Sequence, residues 1–241
     1  MRTLVIGDIH GNLRALKQVF ERADFDPAGD RLISLGDVYD GHPHSAGCVE
    51  ELLKVKDFVL CMGNHDMHAL NWMREGRVNP SPGEEWDEDD LVSIVESYRR
   101  PDGALDEGLI QRHAGFLERA LPYYIDAGGR LYVHAGIDWE YPVYAQPDKS
   151  VYYYDRKTYA EHAVQHEHRG TKFPFRDVFI GHTKTLEDRP DGKPVRRANL
   201  WNVDTGAGSY GKLTIMNVET FEYWQSDWGA ELRTGEKELS I

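Results

Sequence analysis

Five short stretches of the chain pair glycine with residues that bind metals or move protons. They are Gly7-Asp8-Ile9-His10-Gly11, Gly36-Asp37-Val38-Tyr39-Asp40-Gly41, Gly63-Asn64-His65-Asp66, His134-Ala135-Gly136 and Gly181-His182-Thr183. Asp8 and His10 are two residues apart, so on an extended segment they point the same way. A carboxylate and an imidazole on one face make a metal pair. The glycines let the backbone turn sharply and approach a ligand. One such aspartate is ordinarily a turn residue, but five stretches in order point to a shared site.

The elements that must position these stretches are short. Residues 4–9, 31–35 and 58–62 are apolar and predict strands, each running into one of the stretches. Asn12 is placed to cap a helix whose apolar positions are Leu13, Leu16, Val19 and Phe20. Residues 45–55 predict a second helix through Val49, Leu52 and Leu53. Residues 76–108 change character: Asn79-Pro80-Ser81-Pro82-Gly83 precedes an acidic run over 84–90, which reads as a solvated face or a helix N-terminus. A loop and a short helix over 91–98 are expected there. After the turn at 126–129, strands are expected over 130–133, 178–180, 200–203, 212–218 and 220–224. Helices come early and strands late, which predicts mixed sheets covered by helices, not a purely parallel doubly wound sheet. In open α/β sheets ligands bind at the carboxyl ends of strands, where the five stretches fall. One domain over 1–241, with an insertion at about 76–108, is the expected organisation.

Composition narrows the function. The chain has 241 residues, 40% hydrophobic and 29% charged, a balance that folds without disulfides. Its two cysteines, Cys48 and Cys61, exclude a disulfide scaffold and a Cys-ligated zinc module. No apolar run approaches the ~20 residues of a membrane helix, so no membrane partner is expected. Asp8 arrives too early for a signal peptide, which predicts a cytoplasmic location. A net charge of −13 argues against a nucleic-acid partner. It still allows a phosphorylated substrate if bound cations supply local positive charge.

The ordered set GDIHG, GDVYDG, GNHD, HAG and GHT resembles the calcineurin-like metallophosphoesterases. Within them it is most similar to the phosphoprotein phosphatases and the symmetrical diadenosine tetraphosphatases. The resemblance runs from Gly7 to Thr183, with Val203-Asp204-Thr205-Gly206 as a further element. It implies an α/β (α+β) four-layer fold: two mixed β-sheets flanked by helices, with a dimetal site at their edge. Carried over by motif, Asp8 and His10 would bind one metal, Asp37 would bridge, and Asn64, His134 and His182 would bind the other. Oxygen and nitrogen donors without thiolate suit manganese first, with iron or zinc as alternatives. A bridging carboxylate can hold two cations about 3.5–4 Å apart, and water activated between them would attack phosphorus. His65 would protonate the leaving oxygen, oriented by Asp40.

The phosphoprotein phosphatase pattern carries a phosphate-clamping arginine where this chain has Gly41, followed by His42. Arg156, after Tyr154-Asp155, is a candidate substitute, and His42 a partial one. The GNHD form and the following Met67-His68-Ala69-Leu70 are shared with the diadenosine tetraphosphatases. The first expectation is a serine/threonine-type protein phosphatase acting on phosphomonoesters. The alternative is a symmetrical dinucleoside tetraphosphate hydrolase, for which Trp72, Trp86 or Tyr98 would offer a nook for a base. A non-catalytic metal-binding module stands third. Three other features are set aside. Gly206-Ala207-Gly208-Ser209-Tyr210-Gly211-Lys212 lacks the Ser or Thr of a P-loop and should run into a strand. His162, His166 and His168 read as a surface helix. The aromatic tail Phe221, Tyr223, Trp224 and Trp228 reads as sheet packing.

Overall fold

A computed structural model describes residues 1–76 and 88–233. Along the chain it places β1 (Thr3–Ile6), α1 (Leu13–Arg22), β2 (Arg31–Ser34), α2 (Ser45–Leu52), β3 (Asp57–Leu60) and α3 (Asn64–Glu75). There follow α4 (Glu88–Glu96), α5 (Glu107–Leu117), β4 (Tyr123–Ile125), β5 (Leu131–Val133), α6 (Val151–Tyr154) and α7 (Val164–Arg169). The described chain closes with β6 (Val178–Ile180), β7 (Val195–Arg197), β8 (Leu200–Asn202), β9 (Thr214–Asn217), β10 (Tyr223–Gln225) and α8 (Gly229–Arg233).

The strands form two five-stranded sheets, ordered β10-β9-β1-β2-β3 and β4-β5-β6-β8-β7. Each has a parallel centre: β1, β2 and β3 in one, with Leu4 opposite Leu32 and Leu32 opposite Phe58. In the other, β5, β6 and β8 place Leu131 opposite Val178 and Val178 opposite Leu200. The outer strands β9, β10, β4 and β7 are antiparallel to their neighbours. This is the expected mixed topology.

Strand alternation builds the layers. In β1, Leu4 and Ile6 join Leu16, Val19 and Leu52 under the first helices, while Val5 points the other way. Val5 meets Ile33, Tyr132, Phe179 and Met216 in a core shared by both sheets. Tyr132 and Phe179 stack there with centroids 5.1 Å apart. On the far side, Leu131, Val133, Val178 and Ile180 pack under Tyr152, Tyr159 and Ala163. The order helix, sheet, sheet, helix is the four-layer fold. Each such aliphatic side chain contributes about 1.5–3 kcal/mol by burial. Truncating Ile33 to alanine between the sheets should cost about 2–5 kcal/mol.

Several expectations change. The first strand ends at Ile6, not residue 9, because Gly7 and the residues after it leave the ladder to form the site. Strands β4 and β7 are three residues each, too short to show a period. Among the described residues five of eight α-helices precede β4 and seven of ten strands follow α5, as expected, but α6, α7 and α8 are interleaved with the later strands. The Asn79–Gly83 stretch, Trp86 and most of the acidic run lie outside the described residues. Around them, Trp72 and Tyr98 are core residues in the cluster under the first sheet. The Tyr98 hydroxyl sits 3.0 Å from that of Tyr39 and 2.8 Å from His113 Nδ1. Neither ring offers the expected nook for a base. The glycine-rich run 206–211 passes into β9, as a strand and not a phosphate-loop helix.

Candidate metal centre

Six parallel strands, three from each sheet, end at one place. Asp8 and His10 follow β1, Asp37 and Asp40 follow β2, and Asn64 and His65 follow β3. His134 follows β5, His182 follows β6, and Asp204 follows β8. The backbone there is bent hard. Seven non-glycine residues among those described have positive φ, and four belong to the site: His10 (50°), Asp37 (49°), Asp40 (75°) and His182 (63°). Such geometry costs about 1–3 kcal/mol per residue and persists where the surroundings impose it. Asp8 and His10 therefore converge through a left-handed turn, and not through the strand alternation expected of them.

Asp66 holds the turn after β2. Its carboxylate accepts the N–H groups of Asp37 (2.9 Å), Val38 (2.8 Å) and Gly63 (3.0 Å). Close approach of the chain matters at Gly63 and Gly181. A Cβ on Gly63 would lie 2.1 Å from Asp37 Oδ1, and one on Gly181 would lie 2.1 Å from Asp8 Oδ1. Both carboxylates thus occupy space that only glycine leaves free.

Asp8, His10 and Asp37 place ligand atoms within 4.8 Å of one another, and so do Asp37, His134 and His182. Asp37 belongs to both groups. Asn64 Oδ1 lies 3.1 Å from His134 Nε2, facing the second group. His134 Nδ1 donates to the Leu35 carbonyl at 2.8 Å. A carbonyl can only accept, so the Nε2 lone pair is left to point into the site.

Charge in the site calls for cations. Asp8, Asp37 and Asp204 are each about 2% exposed. Asp8 Oδ1 is buried without a hydrogen-bond partner among the described residues. Burial, with the nearby charges of Asp204 and Asp37, pushes the Asp8 carboxyl well up. Burial lowers His10 to about 4 and His182 to about 2, so both present neutral imidazoles. Burial opposes charge on His134 too, while the neighbouring Asp37 carboxylate shifts its pKa upward. Three buried carboxylates with neutral imidazoles around them fit two divalent ions.

Beside these groups, His65 Nδ1 lies 2.8 Å from Asp40 Oδ2, and its Nε2 turns toward Asp37. Asp40 Oδ1 also accepts the Gly41 N–H and, at 3.1 Å, the Ser93 hydroxyl from α4. A cleft of about 260 Å³ opens over the centre, lined by the site residues together with Gly41, Arg156, Lys184 and Gly208. Arg156 Nη1 donates at 3.4 Å to the His182 carbonyl.

His42 is the exception among the expected residues. It is buried behind the cleft, its Nε2 3.3 Å from Asn12 Nδ2 and 3.1 Å from the Ala207 carbonyl. It packs α1 against the 206–211 loop and does not line the cleft. The expectation that it grips phosphate is corrected. Sequence reasoning gave no role to Asp66, Ser93 or Lys184, and touched Asp204 only as a further motif element. For Asp204 the signal was its place after a strand, before glycine.

Cys61 is buried between the sheets, and burial pushes its thiol up to about 12. His162, His166 and His168 lie in the turn and helix before Gly170, with His166 Nδ1 2.8 Å from Thr171 Oγ1. Trp201 stacks on Phe221 at 5.2 Å, and Tyr223 and Trp224 pack against the cores on either side of the first sheet.

The calcineurin-like phosphoesterase family profile matches residues 1–183. A symmetrical bis(5'-nucleosyl)-tetraphosphatase of Pseudomonas entomophila (strain L48) is 34% identical over 139 residues, 57% of this chain and 43% of that protein. The chain thus spans under half the length of the first curated relatives it matches. A protein of the same name from Pseudomonas fluorescens (strain Pf0-1) is 27% identical across 92% of this chain and 90% of its own length. Among solved structures, a candidate diadenosine tetraphosphatase superposes with a TM-score of 0.64 at 18% identity, covering 93% of this chain and 92% of that one. With the family profile over more than half its length, the chain belongs to the calcineurin-like phosphoesterases, hydrolases of phosphoester bonds.

Proposed function

We propose that this phosphoesterase cleaves the phosphoanhydride chain of dinucleoside polyphosphates, the symmetrical cut giving two nucleoside diphosphates. The observation that carries the reading is Asp37 shared between two donor groups with the His65–Asp40 pair beside them. The names of the relatives support the nucleotide substrate over a phosphoprotein. The alternative reading of the sequence therefore takes precedence over the protein phosphatase.

In this reading Asp8 and His10 would hold one cation, Asn64, His134 and His182 the other, with Asp37 available to both. Asp204 adds negative charge beside Asp8. Manganese is the proposed ion, with iron or zinc acceptable to the same donors. When bound, such a pair polarises phosphoryl oxygens and activates water near neutral pH. Asp40 fixes the His65 ring so that Nε2 faces the cleft. As water adds to phosphorus and the bridging P–O bond breaks, His65 Nε2 gives its proton to the departing oxygen. Arg156, on the cleft wall by His182, grips non-bridging oxygens.

A substrate panel on one manganese-loaded preparation tests this. Diadenosine tetraphosphate, phosphopeptides, an aryl phosphate and a phosphodiester are compared. Preferred turnover of the tetraphosphate to adenosine diphosphate is expected. Phosphopeptide turnover with an inert tetraphosphate would instead establish the protein phosphatase. No turnover of any substrate by metal-loaded protein would favour a binding module.

A further inference from the structure

We infer that Lys184 is a second phosphate-binding residue, holding the phosphate next to the one at the metal centre, so that the cleft selects linear chains of phosphates. This rests on the polyphosphate reading and specifies its substrate class.

Two cationic side chains line the cleft among the described residues, Arg156 and Lys184. They are held by different parts of the chain. Arg156 lies against His182, donating to its carbonyl at 3.4 Å. Lys184 reaches instead to Ser209, on the 206–211 loop that lines the cleft through Gly208. A phosphate chain in the cleft would therefore find two separately anchored cations.

Lys184 is also held in a way that leaves its charge available. Its Nζ donates to Ser209 Oγ at 2.6 Å, a neutral hydroxyl on the 206–211 loop. It forms no ion pair among the described residues, although the chain carries a net charge of −13. An ammonium has three donors, so two remain for an anion. Gly208, one residue before Ser209, crosses the cleft wall against His10, and Gly41 lies next to it. The cleft of about 260 Å³ that Lys184 lines with Gly41 and Gly208 gives room for a phosphate beside it.

The substrates place the demand. A tetraphosphate brings several negative charges, of which two metal ions at one phosphoryl group neutralise only part. A phosphomonoester makes no such demand. Lys184 is thus a specificity residue for chain length.

The test measures tripolyphosphate and orthophosphate as inhibitors of aryl phosphate hydrolysis by manganese-loaded protein. Metal content is verified after each titration, because tripolyphosphate chelates. Lys184→Met should weaken tripolyphosphate inhibition by about tenfold to a hundredfold, the loss of one charged hydrogen bond. Orthophosphate inhibition should shift several-fold less, and Lys184→Arg should keep most of the tripolyphosphate affinity. Equal weakening of both inhibitors would overturn the proposal, since Lys184 would then act on the metal-held phosphate. So would an unchanged tripolyphosphate affinity. Failure of the tetraphosphate reading shows separately, as an inert tetraphosphate in the wild-type panel, and leaves this inhibitor comparison intact.

Discussion

His65 presents Nδ1 to Asp40 Oδ2 at 2.8 Å while its Nε2 lies 3.9 Å from Asp37 Oδ2. One ring thereby joins the Asp40 carboxylate to the carboxylate shared by both donor groups. If Nε2 is the proton donor, His65→Asn should lower turnover of an alkyl phosphate by ~10²–10⁴-fold with metal content intact. The loss should be smaller for an aryl phosphate, whose leaving oxygen needs little protonation. Equal losses on the two substrates, read from steady-state kinetics, would remove the role.

The same dyad depends on a residue outside the five motifs. Ser93, on α4, donates to Asp40 Oδ1 at 3.1 Å. Ser93→Ala should reduce kcat about fivefold to tenfold on alkyl phosphates, consistent with one lost hydrogen bond of ~1 kcal/mol. KM should stay near its original value, and Ser93→Thr should restore turnover. A change in KM alone would mark α4 as a substrate contact instead.

Asp37 is the single carboxylate in both donor groups. Asp37→Asn should therefore reduce bound metal from two ions to one or none, as read by elemental analysis. Asp8 makes a complementary case through stability. Without metal, its buried charge is opposed by Asp204 and Asp37. Asp8→Asn should raise the melting temperature of chelator-treated protein and lower that of metal-loaded protein. The same sign in both states would show that no cation sits beside Asp8.

Restoring an arginine at position 41 is expected to fail. Gly41 has a φ of +79°, and a Cβ there would lie 3.1 Å from His10 Cβ and 3.2 Å from the Gly208 carbonyl oxygen. Gly41→Arg should lower stability by ~1–3 kcal/mol and disturb His10. Thermal melting and turnover should both drop. Higher activity on phosphopeptides with unchanged melting would contradict this.

Away from the site, Asp126 reports on acid stability. Burial raises its pKa, but the Arg130 N–H, the Tyr132 hydroxyl and the Arg130 guanidinium lower it overall. A depressed folded value contributes stability above the unfolded pKa of ~3.9, lost as pH falls through the folded value. Asp126→Asn should thus lower the melting temperature at pH 7, with the gap to wild type closing below about pH 4. A gap independent of pH would assign the effect to packing.

The sequence by itself determined the ingredients. Asp8, His10, Asp37, Asn64, His65, His134 and His182 were legible because glycine, short apolar runs and ligand types recur in register along the chain. The central strands were legible for the same reason, and Asn12 caps α1 as read, accepting the Ala15 N–H at 3.1 Å. Tertiary structure alone decided the rest. Left-handed turns at His10, Asp37, Asp40 and His182 depend on what packs around them, which a run of letters does not encode. His42 and Lys184 show the same limit from opposite sides. Both are polar residues near a motif, yet His42 is buried against Asn12 and Ala207 while Lys184 reaches the cleft. Ser93 meets Asp40 across 53 positions. Contacts at such separation exist only once the layers have packed, so local spacing carries no trace of them.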